Sequence, residues 1–351
     1  MKTKESSNPY QARLDEFTAL VRRRRLDAAV LFDRANIRSL TGVDCDNAAL
    51  VVEVDGAKAG VKFYTDFRYV PMVHRVAPQL KVVDLKRLKI AGRRIGYEPT
   101  MSHARFLRLQ KAHRRAKFVD VDAMAKELRS VKVAWEVEKL RAAERLNSEI
   151  WADAQKAFKP GMTELEMARV IRHMMVERGE GEAFDTIVCV GANAAECHHV
   201  PDGTVWNGRD PVLVDMGVKL DGYCSDMTRN IVPARPSALY RKIYDLVLKA
   251  NMAAIAAAKP GLTCGRLDRV ARKVIADAGF GKCFGHSLGH GVGLEIHEAP
   301  SARKGDKTVL KPGMLVTIEP GVYLEGNLGV RIEDLVLITE DGCEVLSPSP
   351  K

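Results

Sequence analysis

Apolar positions along this chain alternate between two spacings. After Asn8-Pro9, which can cap and start a helix, apolar residues recur at helical spacing to about Arg25. Continuous apolar runs follow at 28–32, 48–54 and 61–64, lengths that suit strands. Stretches 66–76 and 102–113 return to helical spacing, and 95–97 and 118–121 read as further strands. Such alternation predicts an α/β layer domain over residues 1–128. A second domain is expected over 129–351. It opens with a long helical pattern at 134–158, with charge pairs Glu136–Lys139 and Glu138–Arg141 one turn apart.

The second domain echoes itself. Lys159-Pro160-Gly161-Met162-Thr163 recurs one hundred residues later as Lys259-Pro260-Gly261-Leu262-Thr263. Each copy follows a long helical pattern, which Pro-Gly stops, and each threonine can cap the next helix. Those next helices are expected to end at Gly179 and Gly279. His198 and His297 stand 99 residues apart in corresponding places. This spacing is too long for a solenoid repeat. It predicts two halves related by a pseudo-twofold, with a site between them.

Each half contains a strand pair interrupted by acids. Asp215 sits in the apolar run Val212-Leu213-Val214-Asp215-Met216, and after a turn at Leu220-Asp221-Gly222 the returning strand carries Asp226. A three-residue loop would set Asp215 opposite Met227; one bulged residue would bring both acids to one face. In the second half Glu319 and Glu333 each interrupt core-like strands joined by a turn at 326–329. Buried glutamates are rare unless paired or metal-bound. Asp334 has the opposite parity to Glu333 and should face away, while Arg331 shares Glu333's face.

The stretch Gly285-His286-Ser287-Leu288-Gly289-His290-Gly291-Val292-Gly293 contains G-x-S-x-G, the pattern of a serine-hydrolase elbow. Three glycines in the five residues after Leu288 argue against the helix an elbow needs, since each costs about 1 kcal/mol there. Glycines permit close backbone approach and positive φ, which suits a loop presenting His290. Asp215, Asp226, His290, Glu319 and Glu333 together are too negative to gather as bare side chains. They form a suitable shell for two divalent ions, which can share a water and clamp a reacting oxygen. Ligation rich in oxygen with one nitrogen leans toward Mn²⁺, with Co²⁺, Fe²⁺ and Zn²⁺ as alternatives.

Charge and cysteine content add little chemistry. Residues 1–130 hold 27 Lys/Arg against 15 Asp/Glu, including Arg22-Arg23-Arg24-Arg25. No aromatic–basic motif accompanies them, so solvated helix ends are expected and a nucleic-acid partner is not. No apolar run approaches a membrane span. Met1-Lys2-Thr3-Lys4-Glu5 has no apolar segment behind it, which gives no sign of a secretory signal. The seven cysteines are scattered without C-x-x-C spacing, which favours a reducing, cytoplasmic setting.

In order and spacing together, "LVDMGVKLDGYCSDMTRN", "GHGVGLEIHE", "TIEPGVY" and "GVRIED" resemble the superfamily of methionine aminopeptidase, aminopeptidase P and prolidase. That resemblance covers 134–338 and implies a pita-bread α/β metallopeptidase domain with an internal pseudo-twofold. "NIRSLTG" and "YTDFRY" resemble the creatinase-type α/β N-terminal domain of aminopeptidase P and prolidase. The resemblance implies that Asp215 holds one metal, His290 and Glu319 the other, and that Asp226 and Glu333 bridge. It makes Glu319 the proton shuttle and His198 and His297 substrate residues. Both histidines can donate to the carbonyl oxygen, where charge develops. Arg331 would orient a carboxylate or shape a proline pocket.

Two departures matter. Asn230 stands where the family often has threonine. Ser301 follows Pro300 where many prolidases carry an arginine that can grip a dipeptide's free carboxylate. The second departure puts an Xaa-Pro aminopeptidase first, with Arg303 or an N-domain arginine able to substitute if the chain is an Xaa-Pro dipeptidase. A catalytically inactive peptidase-like binding protein is a more remote alternative. The resemblance also implies a homodimer acting on proline-containing peptides.

Overall fold

The computed structural model describes residues 8–351; the Met1–Glu5 stretch read above lies outside them. The chain divides into two compact units, one reaching to Arg129 and the other starting at Ser130.

The first unit is a six-stranded mixed sheet with helices on both faces. Its elements are α1 (Gln11–Arg23), β1 (Ala28–Leu31), α2 (Arg34–Thr41), β2 (Ala48–Asp55), β3 (Lys58–Thr65), α3 (Val70–Val76), β4 (Lys81–Asp84), β5 (Arg94–Tyr97), α4 (His103–Ala112), β6 (Lys117–Asp120) and α5 (Asp122–Ser130). The strand order is β4-β3-β2-β1-β5-β6. Period-2 alternation separates two cores: Ala29, Leu31, Leu50 and Val52 face one layer, and Ala28, Val30, Ala49 and Val51 the other. Helix α1 starts later than expected, because Asn8 turns back on itself: its Oδ1 accepts from the Tyr10 amide at 3.0 Å. Helix α3 begins only at Val70, since Asp66 instead forms a turn with Arg68. Three elements were not read from the sequence. Helix α2 depends on an Asp33 N-cap and a left-handed Gly42 C-cap, while β4 and α5 are short. Arg22–Arg25 are exposed at the end of α1, where cations suit the helix dipole.

The second unit contains α6 (Ala134–Ala157), α7 (Glu164–Arg178), β7 (Ile187–Val190), β8 (Val212–Met216), β9 (Lys219–Leu220), β10 (Tyr223–Cys224), β11 (Met227–Ile231), α8 (Ala238–Ala257), α9 (Cys264–Asp277), β12 (Gly289–Gly291), β13 (Glu298–Ala302), β14 (Leu315–Ile318), β15 (Gly321–Leu324), β16 (Leu328–Arg331), β17 (Asp334–Ile338) and β18 (Cys343–Val345). The internal echo is real at the level of hydrogen bonds. Gly161 N donates to Trp206 O at 2.8 Å and Gly261 N to Leu310 O at 3.0 Å. Thr163 bridges to Val205 and Thr263 to Val309. The caps differ: Thr163 accepts from the Glu166 amide at 3.2 Å, whereas Thr263 makes no side-chain cap bond. The helices end at Arg178 and Asp277, just short of the two expected glycines. Glu136 caps its own helix through the Val133 amide at 3.0 Å rather than pairing with Lys139, while Arg141 does meet Glu138 at 3.3 Å.

Each half packs its helix pair against one face of its strands. Val212, Val214 and Met216 join Ile150, Met167 and Ile171; Val316, Ile318, Val330 and Val336 join Val247, Leu267 and Ile275. With a strand period of two, the residues between them turn to the other face. Those residues include Asp215, Thr317 and Arg331, and this alternation is what gathers the polar groups on one side.

Candidate metal centre

Two long hairpins supply the acids, and the ladder of each breaks midway, at Asp226 in the first and at Glu319 and Glu333 in the second. In the first, β8 pairs with β11 in the register Asp215↔Thr228, and β9 with β10 in the register Leu220↔Tyr223. The turn is therefore a two-residue one, Asp221-Gly222, with φ of 50° and 78°, as the hairpin twist favours. The expected three-residue loop or bulge is not needed. In this register Asp226, two residues before Thr228, already shares Asp215's face.

In the second hairpin β14 pairs with β17 and β15 with β16. Glu319 and Glu333 do not interrupt a ladder; they stand in the gap between the two paired segments. Their amides bond outward instead. Glu319 N donates to Leu288 O at 2.9 Å and Glu333 N to Thr228 O at 3.3 Å. These two bonds dock the second hairpin onto the His290 segment and onto the first hairpin.

Two asparagines occupy the breaks. Asn147 on α6 donates to Met216 O at 3.0 Å. Asn251 on α8 donates to Ile318 O at 2.9 Å, Ile332 O at 3.3 Å and Asp334 Oδ2 at 3.0 Å. Buried carbonyls freed from a ladder need such partners. Asp334 faces away from the site as expected. It meets Arg229 at 2.8 Å and Lys351 at 2.7 Å, so Arg229 belongs to Asp334 and not to either hairpin aspartate.

His290 lies in β12. A Cβ on Gly289 would fall 1.9 Å from Thr317 O, and one on Gly291 2.3 Å from Ala299 O. Close approach alone explains these two glycines; neither has the positive φ that was anticipated. No helix follows Ser287, which removes the serine elbow. His290 Nδ1 faces the Gly291 carbonyl at 3.0 Å. A carbonyl can only accept, so Nδ1 carries the proton and Nε2 presents its lone pair. Burial lowers this ring's pKa to about 4, which keeps it neutral and able to ligate. Nε2 lies 3.5 Å from both Asp226 Oδ2 and Glu319 Oε1.

The donor set fits divalent cations. Ligand atoms of Asp226, His290 and Glu333 lie within 4.8 Å of one another. Asp215 Oδ1 is buried without a hydrogen-bond partner. Burial, and then the charges of their neighbours, push the Asp226 and Glu333 carboxyls well above the usual range. Burial likewise lifts Glu319 to about 8, with Arg331 opposing the shift. Carboxylates crowded in this way need positive charge between them.

Arg331 is the hub of a buried network that the sequence did not reveal. Its Nη2 meets Asp215 Oδ2 at 2.7 Å, its Nε donates to Thr228 Oγ1 at 3.0 Å, and its Nη1 donates to Tyr323 Oη at 2.9 Å. Thr228 passes the contact on, donating to Glu333 Oε2 at 2.8 Å. Tyr323 Oη lies 2.8 Å from His286 Nε2. Since His286 Nδ1 faces the Ser287 carbonyl at 2.7 Å, Tyr323 donates to Nε2. Thr317 plays the matching part beside His290, accepting from its amide at 3.0 Å and donating to Glu319 Oε1 at 3.2 Å. Behind Asp226 stands the fully buried Glu144, which accepts from the Asp226 amide at 2.7 Å.

Asp215, Asp226, Glu319, Glu333 and His290 line one cavity of about 900 Å³, together with His198, His297, His286 and Arg331. His297 stacks edge-on against His290, with ring centroids 4.3 Å apart. His198 and His297 are both exposed to the cavity. A second acid–histidine group, Glu164 with His199 and Asp202, is already satisfied. Glu164 accepts from Val190 N, Asn193 Nδ2, His199 Nε2 and Asp202 N, which uses its lone pairs. Among the described residues no helix is long and apolar enough to cross a membrane.

Residues 138–340 match the model of metallopeptidase family M24, and residues 13–131 match the creatinase/prolidase N-terminal domain. An Xaa-Pro dipeptidase from Pyrococcus furiosus is 40% identical over 258 residues, covering 73% of this chain and 74% of that protein. The solved structure of an Xaa-Pro dipeptidase from Bacillus anthracis has a TM-score of 0.90 at 31% identity, covering 97% of this chain and 98% of that one. An X-Pro aminopeptidase from Thermotoga maritima has a TM-score of 0.84 at 31% identity, covering 93% and 96%. Two matched domains, a mixed α/β architecture and a cavity lined by acids and histidines agree: the chain belongs to metallopeptidase family M24, with a creatinase/prolidase-type domain at its N-terminal end.

Proposed function

We propose that this chain is an Xaa-Pro dipeptidase, hydrolysing the bond between a residue and the C-terminal proline that follows it. The observation that carries the hydrolytic part is the gathering of Asp215, Asp226, His290, Glu319 and Glu333 in one cavity, with Asp215 Oδ1 buried and unpartnered. The names of the similar proteins, two dipeptidases and one aminopeptidase, favour the dipeptidase. This reverses the order suggested by Ser301 alone.

In this reading the five ligands hold two divalent cations, with Mn²⁺ best suited to the oxygen-rich set. Bound there, the cations would supply Lewis acidity and an acidified water. The protein's own groups do the rest. His198 and His297 donate to the scissile carbonyl oxygen as negative charge grows on it. Glu319 lines the same cavity and, as a carboxylate, is suited to take a proton and return it to the departing proline nitrogen. Arg331 fixes Asp215, and through Thr228 it fixes Glu333.

Mn²⁺-loaded protein should be assayed on Ala-Pro and on Ala-Pro-Ala. Release of proline from the dipeptide with negligible cleavage of the tripeptide is expected. Preference for the tripeptide would restore the aminopeptidase, and no turnover of either would remove the peptidase altogether.

A further inference from the structure

A dipeptide that ends in proline brings a free carboxylate into the cavity; a longer peptide does not bring one at that point. Burying a carboxylate without a partner is costly, so a site that favours the dipeptide needs a cation for it. Arginine suits the task because its planar fork matches both oxygens. Ser301 lines the cavity without charge. Arg303, one of the two substitutes suggested by sequence, is not among the cavity-lining residues; it is 69% exposed and 3.5 Å from Asp306.

Three arginines line the cavity: Arg169, Arg172 and Arg331. Arg331 is spent on Asp215, Thr228, Tyr323 and the Cys197 carbonyl. Arg172 is tied to both oxygens of Glu182. Arg169 is exposed and makes no hydrogen bond or ion pair among the described residues. Its charge acts on Glu166 one turn earlier, but that carboxylate already accepts from the Thr163 amide and hydroxyl.

The mounting of Arg169 is rigid. Leu165, Ala168, Arg169 and Arg172 form one stripe of α7 along the cavity wall, at the i, i+3, i+4, i+7 spacing of a helix face. The adjoining stripe, Met167, Ile171 and Met175, is buried in the core together with Ala168. A functional group on an anchored helix is placed better than one on a loop.

We propose that Arg169 binds the free C-terminal carboxylate of the dipeptide substrate and so sets the preference for two-residue peptides. This rests on the dipeptidase reading above and assigns the specificity within it.

The test compares Ala-Pro with Ala-Pro-amide on the full-length Mn²⁺-loaded protein, as wild type, R169A, R169K and R303A. Wild type should favour the acid over the amide by about tenfold or more in kcat/KM, the size of one charge-assisted hydrogen bond. R169A should bring that ratio close to one, mainly by raising KM for the acid. R169K should keep part of it, because it restores charge without the fork. R303A should retain the wild-type ratio. A wild type that favours the acid while R169A keeps the full ratio, or R303A loses it, overturns the role of Arg169 alone. A wild type that cleaves only longer peptides overturns the dipeptidase reading and this inference together.

Discussion

Arg331 and Asp215 form a buried ion pair, with Nη2 2.7 Å from Oδ2 and side chains 4% and 13% exposed. The pair uses one oxygen of Asp215 and leaves Oδ1 without a partner. Orientation of this kind is what an outer group does for a metal ligand. Arg331→Lys keeps the charge but loses the fork that reaches Asp215, Thr228 and Tyr323 at once. It should weaken Mn²⁺ binding by about 10- to 100-fold, read by titration calorimetry. Affinity equal to wild type would show that Asp215 needs no such support.

Removing the metal should expose the strain among the acids. Asp226, Glu319 and Glu333 have folded pKa values above their ordinary ones. For a raised pKa, the stability contributed is fully present below the unfolded value and is lost as pH climbs through the folded value. Metal-free protein should therefore lose stability between about pH 4.5 and pH 8, the range set by the Glu319 shift. Excess Mn²⁺ should oppose that loss by mass action. Asp226→Asn should raise the melting temperature of the metal-free form at pH 8 while abolishing turnover. A metal-free melting temperature that rises over the same interval would contradict the account.

Much of this centre was legible because a charged residue inside an apolar strand is conspicuous. Asp215, Glu319 and Glu333 announced themselves in that way, and the repeated Lys-Pro-Gly joint gave the two halves. Parity alone placed Asp334 away from the site and Arg331 toward it. The turn at Asp221-Gly222 is one residue shorter than the three-residue loop its sequence suggests, since the composition of a turn does not fix its length. Asn147, Asn251, Thr228 and Thr317 were not legible at all. Their partners are carbonyls and carboxylates exposed only where the two ladders break, and a break is a property of the assembled hairpins. The His199–Glu164 contact was not legible either, since its partners stand 35 residues apart in the chain.

That His199–Glu164 contact, 2.7 Å long, anchors the segment that carries His198. Burial works against a charged His199, but the hydrogen bond and charge of Glu164 outweigh it and raise the ring's pKa. The resulting stability is present below the ordinary value of about 6.5 and declines as pH rises through the folded one. His199→Ala should flatten that decline. It should also lower kcat by roughly ten- to a hundredfold through misplacement of His198, with Mn²⁺ affinity intact. A variant with normal kcat, or one whose main defect is metal loss, would show that the contact does not position His198.

Asn251 pins the residues that precede both glutamates, Ile318 before Glu319 and Ile332 before Glu333, while Asn147 holds only Met216. Asn251→Ala leaves the Ile318 and Ile332 carbonyls short of a donor inside the core, while Asp334 Oδ2 keeps Lys351. The cost should be about 3 kcal/mol or more, against about 1 to 2 kcal/mol for Asn147→Ala, since each buried group left unpaired costs about 1–3 kcal/mol. Urea unfolding of the metal-free proteins measures this difference. Because the glutamate backbones would be released together, Asn251→Ala should also weaken Mn²⁺ binding more than Asn147→Ala does. Equal losses in the two variants would mean that the hairpin holds its glutamates without the asparagine, and that the ladder break is stabilised by the outward bonds to Leu288 and Thr228 alone.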